Sequence, residues 1–205
     1  MRLPRRPDVC FAKSGLLAMT NKTMNKKHLV LLIIFLAALG IYYRLTPHPA
    51  NFSPIGAIAL FSGVYLTKKW SIVLPLGIML FTDLFLGFYE WQTMLAVYGC
   101  LALSFWLGNK LRANKNFINL ASAGLAMSVV FFIITNLSVW AFSNWYPHNW
   151  SGLLLNYYLA IPFFRNSLLG DVFFMSALFG GYEFFRSALA RQQRTFGFKA
   201  NRDII

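Results

Sequence analysis

Three acidic residues lie within long apolar stretches of this sequence: Asp83, Asp171 and Glu183. A charged side chain inside a membrane is costly, so such residues are usually either functional or paired with another charge. Glu183 precedes Arg186 by three residues, a spacing that favours a helical ion pair. Asp83 and Asp171 are therefore the better candidates for a site that binds or transforms a ligand.

Other polar side chains converge on the level of these two acids. At about 1.5 Å of rise per residue, Asp83 lies about 20 Å along an outward-running helix and Asp171 about 8 Å along an inward-running one. Both positions fall in the outer third of a membrane. We interpret the set as a cavity, open to the outside, for a small, flat, polar ligand. The alternative is an interfacial aromatic belt in which the acids pair with Arg44, Arg165 or amides. The set comprises Asn51, Ser53, Gln92, Thr135, Asn136, Ser138 and Asn166, with aromatic residues that include Trp91 and Trp140.

The elements that must position these residues are apolar segments. The chain has 205 residues, of which 58% are hydrophobic and only 12% charged, whereas soluble domains carry about 25% charged residues. This composition predicts an all-α integral membrane protein, a bundle of six transmembrane helices. The second segment is short for a span and is expected to be tilted, re-entrant or buried among the others. The segments are His28–Leu45, Pro54–Leu66, Trp70–Phe88, Gln92–Leu107, Phe117–Phe142 and about Asn166–Arg186.

Between the fifth and sixth segments lies an aromatic stretch, Ser143–Arg165, whose apolar run is interrupted by Pro162. We interpret it as an interfacial or re-entrant piece and not as a span. Within the second segment, Pro54 suits a first helical turn and Asn51 or Ser53 can cap it.

The distribution of Lys and Arg predicts the orientation. The net charge is +13, and of 19 Lys and Arg residues only Arg44 and Arg165 fall on one side. The positive-inside rule then places both termini in the cytoplasm. The same distribution explains the basic character without a nucleic-acid partner.

The sequence divides into three parts. We interpret residues 1–27 as a disordered basic tail, 28–187 as the membrane domain and 188–205 as a basic cytoplasmic C-terminal tail. Met24 resembles a natural start, with Met1 and Met19 as alternatives.

Enzyme motifs are absent from the sequence. It has no phosphate-binding loop, zinc-protease motif or nucleophile elbow, and neither a cofactor nor a metal is expected. His48 and His148 are isolated, and Cys10 and Cys100 form no disulfide framework. One alternative function is an intramembrane aspartyl protease that uses Asp83 and Asp171, although Leu168–Asp171 lacks the first Gly of the G-x-G-D motif. Another is a non-catalytic structural or assembly protein.

Four blocks of the sequence resemble a bacterial family of uncharacterised six-span membrane proteins. That family is in turn similar to the substrate-binding S components of energy-coupling factor (ECF) vitamin transporters. The blocks are Asn51–Gly63, Thr82–Gly87, Thr135–Trp140 and Ile161–Asp171.

The resemblance implies a multi-pass protein of a bacterial cytoplasmic (inner) membrane. Such a protein binds a vitamin-like solute from outside and docks on a coupling protein with two ATPases. The first helix lacks the A-x-x-x-A docking motif of S components, and Ala59 with Gly63 is the nearest small-x-x-x-small substitute. By this resemblance the ligand site would be lined by Asn51, Asp83, Trp91, Asn136, Trp140, Asn166 and Asp171.

Overall fold

The computed structural model describes residues 26–66 and 68–188, which are predominantly helical. The chain divides into two compact units, of which the first ends at Ile34 and the second begins at Phe35. The first unit contributes the opening turns of α1, and all contacts discussed below lie within the second. The two predicted tails fall almost entirely outside the described residues. The helices are α1 Lys26–Leu45, α2 Ile55–Tyr65, α3 Lys68–Leu86, α4 Trp91–Leu111, α5 Phe117–Phe142 and α6 Trp150–Met175.

Five of these helices are long and apolar enough to cross a membrane. Their large apolar side chains are widely exposed, as expected where lipid replaces water as the solvent. The prediction of a helical, multi-pass membrane protein is confirmed. The five spans are Lys27–Leu45, Lys69–Leu86, Trp91–Leu111, Phe117–Phe142 and Trp150–Ala188.

Helix α2 is the short one, with 11 residues, and nearly all of them are buried. It contacts α3, α4, α5 and α6, so burial among the other helices is the alternative that the structure confirms. Its C-terminal carbonyl groups need partners because Gly63 and Leu66 are buried. Arg112 supplies these partners, since its Nη2 donates to the carbonyl oxygen of Gly63 at 2.8 Å and to that of Leu66.

Helices α2 and α4 cross with their backbones in contact. A Cβ atom on Gly63 would overlap the carbonyl oxygen of Phe105 and lie 2.9 Å from the Cα of Gly108. A Cβ on Gly108 would likewise overlap the carbonyl oxygen of Leu60. Small residues at a crossing allow membrane helices to approach this closely. Ala59 is fully buried and Gly63 is covered by α4, so this face packs inside the chain and is not available to a docking partner.

The expected break at Pro162 is wrong, because α6 passes through this residue. A helix-interior proline loses one backbone hydrogen bond, but ending the helix inside a membrane would leave several polar groups unsatisfied. A π-helical turn, Ser176–Gly180, follows α6 and leads into further helix, so that residues 150–188 form one helix of 39 residues. Asp171 therefore lies about 32 Å along its helix and not about 8 Å. The segment Ser143–Arg165 is accordingly not a separate re-entrant piece.

Candidate functional site

A cavity of about 150 Å³ is lined by residues of all six helices. Its apolar lining comes from α2 to α6 and includes the ring of Phe131. Its polar lining carries one acid, one base and several groups that can both donate and accept hydrogen bonds. These polar residues are Arg44, Asn51, Ser53, Ser104, Ser128, Ser167 and Asp171.

Asp171 is the acidic group of the cavity. The Ser128 hydroxyl donates to Oδ2 of Asp171 at 2.6 Å, and its oxygen also lies 3.0 Å from the carbonyl oxygen of Gly124. A hydroxyl has one hydrogen, and the shorter contact to a carboxylate is the stronger bond. Among the described residues, no Lys, Arg or His comes within 4.0 Å of the carboxylate. Within the part of the chain that the structure describes, no basic side chain therefore compensates the negative charge of Asp171.

Gly56, in the first turn of α2, makes room for this carboxylate. A Cβ atom on Gly56 would lie 2.9 Å from Oδ1 of Asp171. Within the described part of the chain, Oδ1 makes no hydrogen bond. One carboxylate oxygen is thus held by α5, while the other lies against the start of α2 with spare capacity to accept a hydrogen bond.

Arg44 is the basic group of the cavity, and its charge is compensated. Its Nη2 lies 2.5 Å from Oδ1 of Asp83, and its Nε donates to Oγ1 of Thr82 at 2.6 Å. The Tyr98 hydroxyl donates to Oδ2 of Asp83 at 2.8 Å. Asp83 is 1% exposed and does not line the cavity. The alternative in which Asp83 pairs with Arg44 is confirmed, and the two residues together with Asp171 leave one net negative charge.

The charges of Asp83 and Arg44 also affect the pKa of Tyr89, which lies in the loop between α3 and α4. Burial raises the pKa of the Tyr89 hydroxyl to about 12, and the nearby charge of Asp83 contributes further to this rise, while Arg44 opposes it. Tyr89 therefore stays neutral at physiological pH and adds no charge to this end of the bundle.

Of the residues that the resemblance assigns to the ligand site, Asn51 and Asp171 line the cavity. Asn51 has a positive φ of 62°, which turns the chain into α2. The side-chain amide of Asn166 donates to the carbonyl oxygen of Ala50 at 3.0 Å and so holds this loop on α6. The sixth helix was expected to begin at about Asn166, but Asn166 lies within α6.

The structure does not bring the remaining three predicted residues to the cavity. The Asn136 side chain donates to the carbonyl oxygen of Phe132 in its own helix at 2.8 Å. The indole of Trp140 donates to the carbonyl oxygen of Pro147 at 3.1 Å, and Trp91 is 69% exposed. Phe131, not a tryptophan, supplies an aromatic ring to the lining.

Sequence reasoning missed Ser104, Ser128 and Ser167, and it treated Arg44 only as a counter-ion. Single serines are common in membrane helices and carry little signal by themselves. A usable signal existed on α5, where Gly124 and Ser128 are four residues apart and therefore share one helix face.

The two acids of the protease alternative have separate partners. Asp83 is bonded to α1 and α4, and Asp171 to α5. No hydrogen bond joins the two carboxyl groups, which sharing a proton would require. In residues 26–66 and 68–188, no three His, Cys, Asp or Glu side chains come together as metal ligands.

A second cavity, of about 380 Å³, lies between α5 and the region around the π-helical turn. Tyr65, Lys115 and Glu183 line one end of it. The Tyr65 hydroxyl donates to Glu183 at 2.6 Å, and Lys115 Nζ lies 4.6 Å from the centre of the Tyr65 ring. Glu183 also lies 3.7 Å from Arg186, which confirms the predicted pair. Burial, and next the charge of Arg186, lower the pKa of Lys115.

Comparison with known proteins gives one match. A family model described as a family of unknown function (DUF6580) matches residues 22–194. No curated protein and no solved structure matches the chain. The matched range contains α1 to α6 and every residue that lines the two cavities.

Proposed function

We propose that this chain, which belongs to the DUF6580 family, is the substrate-binding membrane subunit of an ECF-type transporter. It takes up a small, vitamin-like solute from outside a bacterium across the cytoplasmic membrane. Its partners in this function are a coupling protein and ATPase subunits, and the chain itself carries out no chemical reaction.

The observation that carries the proposal is the partly polar first cavity with its uncompensated carboxylate. A cavity of about 150 Å³ can hold a molecule the size of a single aromatic ring. Apolar walls with a few convergent polar groups are typical of sites for small molecules. Asp171 supplies a charged acceptor, and Ser53, Ser104 and Ser167 supply hydroxyl groups at other points of the lining.

The proposed topology has six spans with both termini inside, and it counts α2 as a span enclosed by the others. Arg44 and Asn51, which line the first cavity, then lie at the outer end of the bundle. Lys115 and Arg112, near the second cavity, lie at the cytoplasmic end, as the positive-inside rule favours. A solute would therefore reach the first cavity from outside.

Asp171→Asn is expected to reduce the amount of retained solute at least about 10-fold, because a hydrogen bond to a charged group contributes about 1.5–3 kcal/mol. The measurement is native mass spectrometry of protein purified in mild detergent without added ligand. The wild-type protein should carry a small molecule, and its mass identifies the solute.

Ser128→Ala and Ser122→Ala form a matched pair of controls on α5. Ser128 holds Asp171, whereas Ser122 donates to the carbonyl oxygen of Asn119 and lies outside both cavities. We expect partial loss of the solute in Ser128→Ala and full retention in Ser122→Ala. A wild-type protein that carries no small molecule, or equal retention in Asp171→Asn and Ser122→Ala, would contradict the proposal.

A further inference from the structure

The two cavities share two lining residues, Asp171 and Met175. These residues are four apart on α6, so they stand one above the other on the same face of the helix. Above them lies the first cavity with Arg44 and Asn51, and below them the second with Lys115 and Glu183. Asp171 and Met175 therefore lie at the boundary between the two cavities.

Two contacts with α5 close this boundary. Ser128 binds the Asp171 carboxylate at 2.6 Å. One turn away, the thioether of Met175 lies directly on Gly124, where a Cβ atom would come 2.5 Å from the Met175 Cε and closer still to its Sδ. Methionine is unbranched, flexible and adaptable in packing, so this lower contact can open by rotation of one side chain.

The π-helical turn begins at the residue after Met175. Such turns are rare and occur frequently at functional sites. It ends at Gly180, and Cβ atoms on Gly180 and on the following Gly181 would meet no neighbour within 4 Å. Leu178 and Phe179 of this turn are buried, so the open space lies on the glycine side only. Met175 itself lines the second cavity, which gives its side chain space to move away from Gly124.

We propose that Met175 is the gate of a passage through this chain, and that the passage conducts a small organic cation from the first cavity to the second. Asp171 lines both cavities and has no basic partner among residues 26–66 and 68–188, so it can hold the positive group of the solute on either side of the gate. Arg44 does not oppose entry, because Asp83 compensates its charge. This inference rests on the proposed function of the first cavity and adds the solute class and its route.

The test uses guanidinium, a small cation that keeps its charge at all accessible pH values. Full-length protein is placed in liposomes, and the influx of labelled guanidinium is measured. Met175→Ala should raise the influx at least about 10-fold over the wild-type protein, because the truncated side chain no longer covers Gly124. Met175→Leu, which conserves volume, should stay at the wild-type rate, and chloride influx should be unchanged in every variant.

The Met175→Ala/Asp171→Asn double variant tests the role of the carboxylate. Its guanidinium influx should return to near the wild-type rate, since the leak requires the negative charge. A folded Met175→Ala protein with no increased influx, or a leak that persists undiminished without Asp171, would overturn the proposal.

A second measurement applies if Met175→Ala fails to fold. With Cys10 and Cys100 replaced by Ser, Met175→Cys should react with a water-soluble cationic thiosulfonate at least about 10-fold faster than Leu178→Cys, which is buried on the same helical segment. Equal rates would overturn the gate. The two proposals can fail separately. If the wild-type protein retains a solute but the Met175→Ala protein shows no increased influx, the passage is refuted and the proposed binding function stands.

Discussion

Gly63→Ala and Gly108→Ala are each expected to destabilise the protein by about 3 kcal/mol, the upper part of the range for overpacking. The added methyl group would meet backbone atoms of the opposite helix, namely the carbonyl oxygen of Phe105 or that of Leu60. A backbone atom cannot rotate away as a side chain can, so α2 and α4 must separate. Thermal unfolding in mild detergent measures the effect, and a lower yield of folded protein should accompany it.

Gly99→Ala is the matched control, since Gly99 lies on α4 as Gly108 does and its Cβ would meet nothing within 4 Å. Alanine favours helix over glycine by about 1 kcal/mol, so this variant should unfold at the wild-type temperature or above it. If Gly108→Ala unfolds at the same temperature as Gly99→Ala, the backbones of α2 and α4 do not make the contact described here.

Asp83→Ala is expected to cost about 3 kcal/mol, the lower end of the range for breaking a buried ion pair. The lower end applies because the Arg44 side chain retains 20% exposure and its bond to Thr82. The variant leaves the guanidinium without its carboxylate and Tyr98 without its acceptor. The double variant Arg44→Leu/Asp83→Leu should recover most of the loss, since apolar pairs often replace buried ion pairs without cost.

The pair of Glu183 and Arg186 is the control for this experiment. It is an ion pair of the same charge types, but its side chains are 48% and 37% exposed. Exposed pairs contribute about 0–1 kcal/mol, and the bond from the Tyr65 hydroxyl, which Glu183→Ala also removes, is exposed as well. Glu183→Ala should therefore have a smaller effect than Asp83→Ala. Two outcomes would contradict this prediction: an equal loss of stability in Glu183→Ala and Asp83→Ala, or no recovery of stability in Arg44→Leu/Asp83→Leu. Either would show that burial of the ion pair between Arg44 and Asp83 does not determine the cost of breaking it.

Asp83 and Asp171 differ in role: Asp83 contributes to helix packing, and Asp171 contributes to the proposed binding of solute. Asp83 stabilises α1, α3 and α4 against one another. Asp171 lines both cavities, and none of the described basic side chains pairs with it. Loss of Asp83 should therefore lower the yield of folded protein, whereas loss of Asp171 should chiefly lower the solute retained by the protein that does fold.

The sequence by itself determined the class of the protein and the position of most helices. The fifth predicted segment coincides with α5, Phe117–Phe142, and the third differs from α3 by two residues at either end. Hydropathy and segment length are local properties, and the bilayer imposes a length on every helix that crosses it. For the same reason the buried position of the short α2 was among the alternatives that the sequence offered.

Only the tertiary structure decided which polar residues meet in a cavity. Lipid and protein core are both apolar, so these helices are largely apolar on every side and hydropathy alone does not show which face points inward. Asp83 and Arg44 are 39 residues apart, and only the packing of α1 on α3 makes them partners. Pro162 predicted an interruption on local grounds, but the continuity of α6 follows from the need of every backbone group for a partner in the membrane. That continuity moved Asp171 from the end of a helix to the boundary between the two cavities.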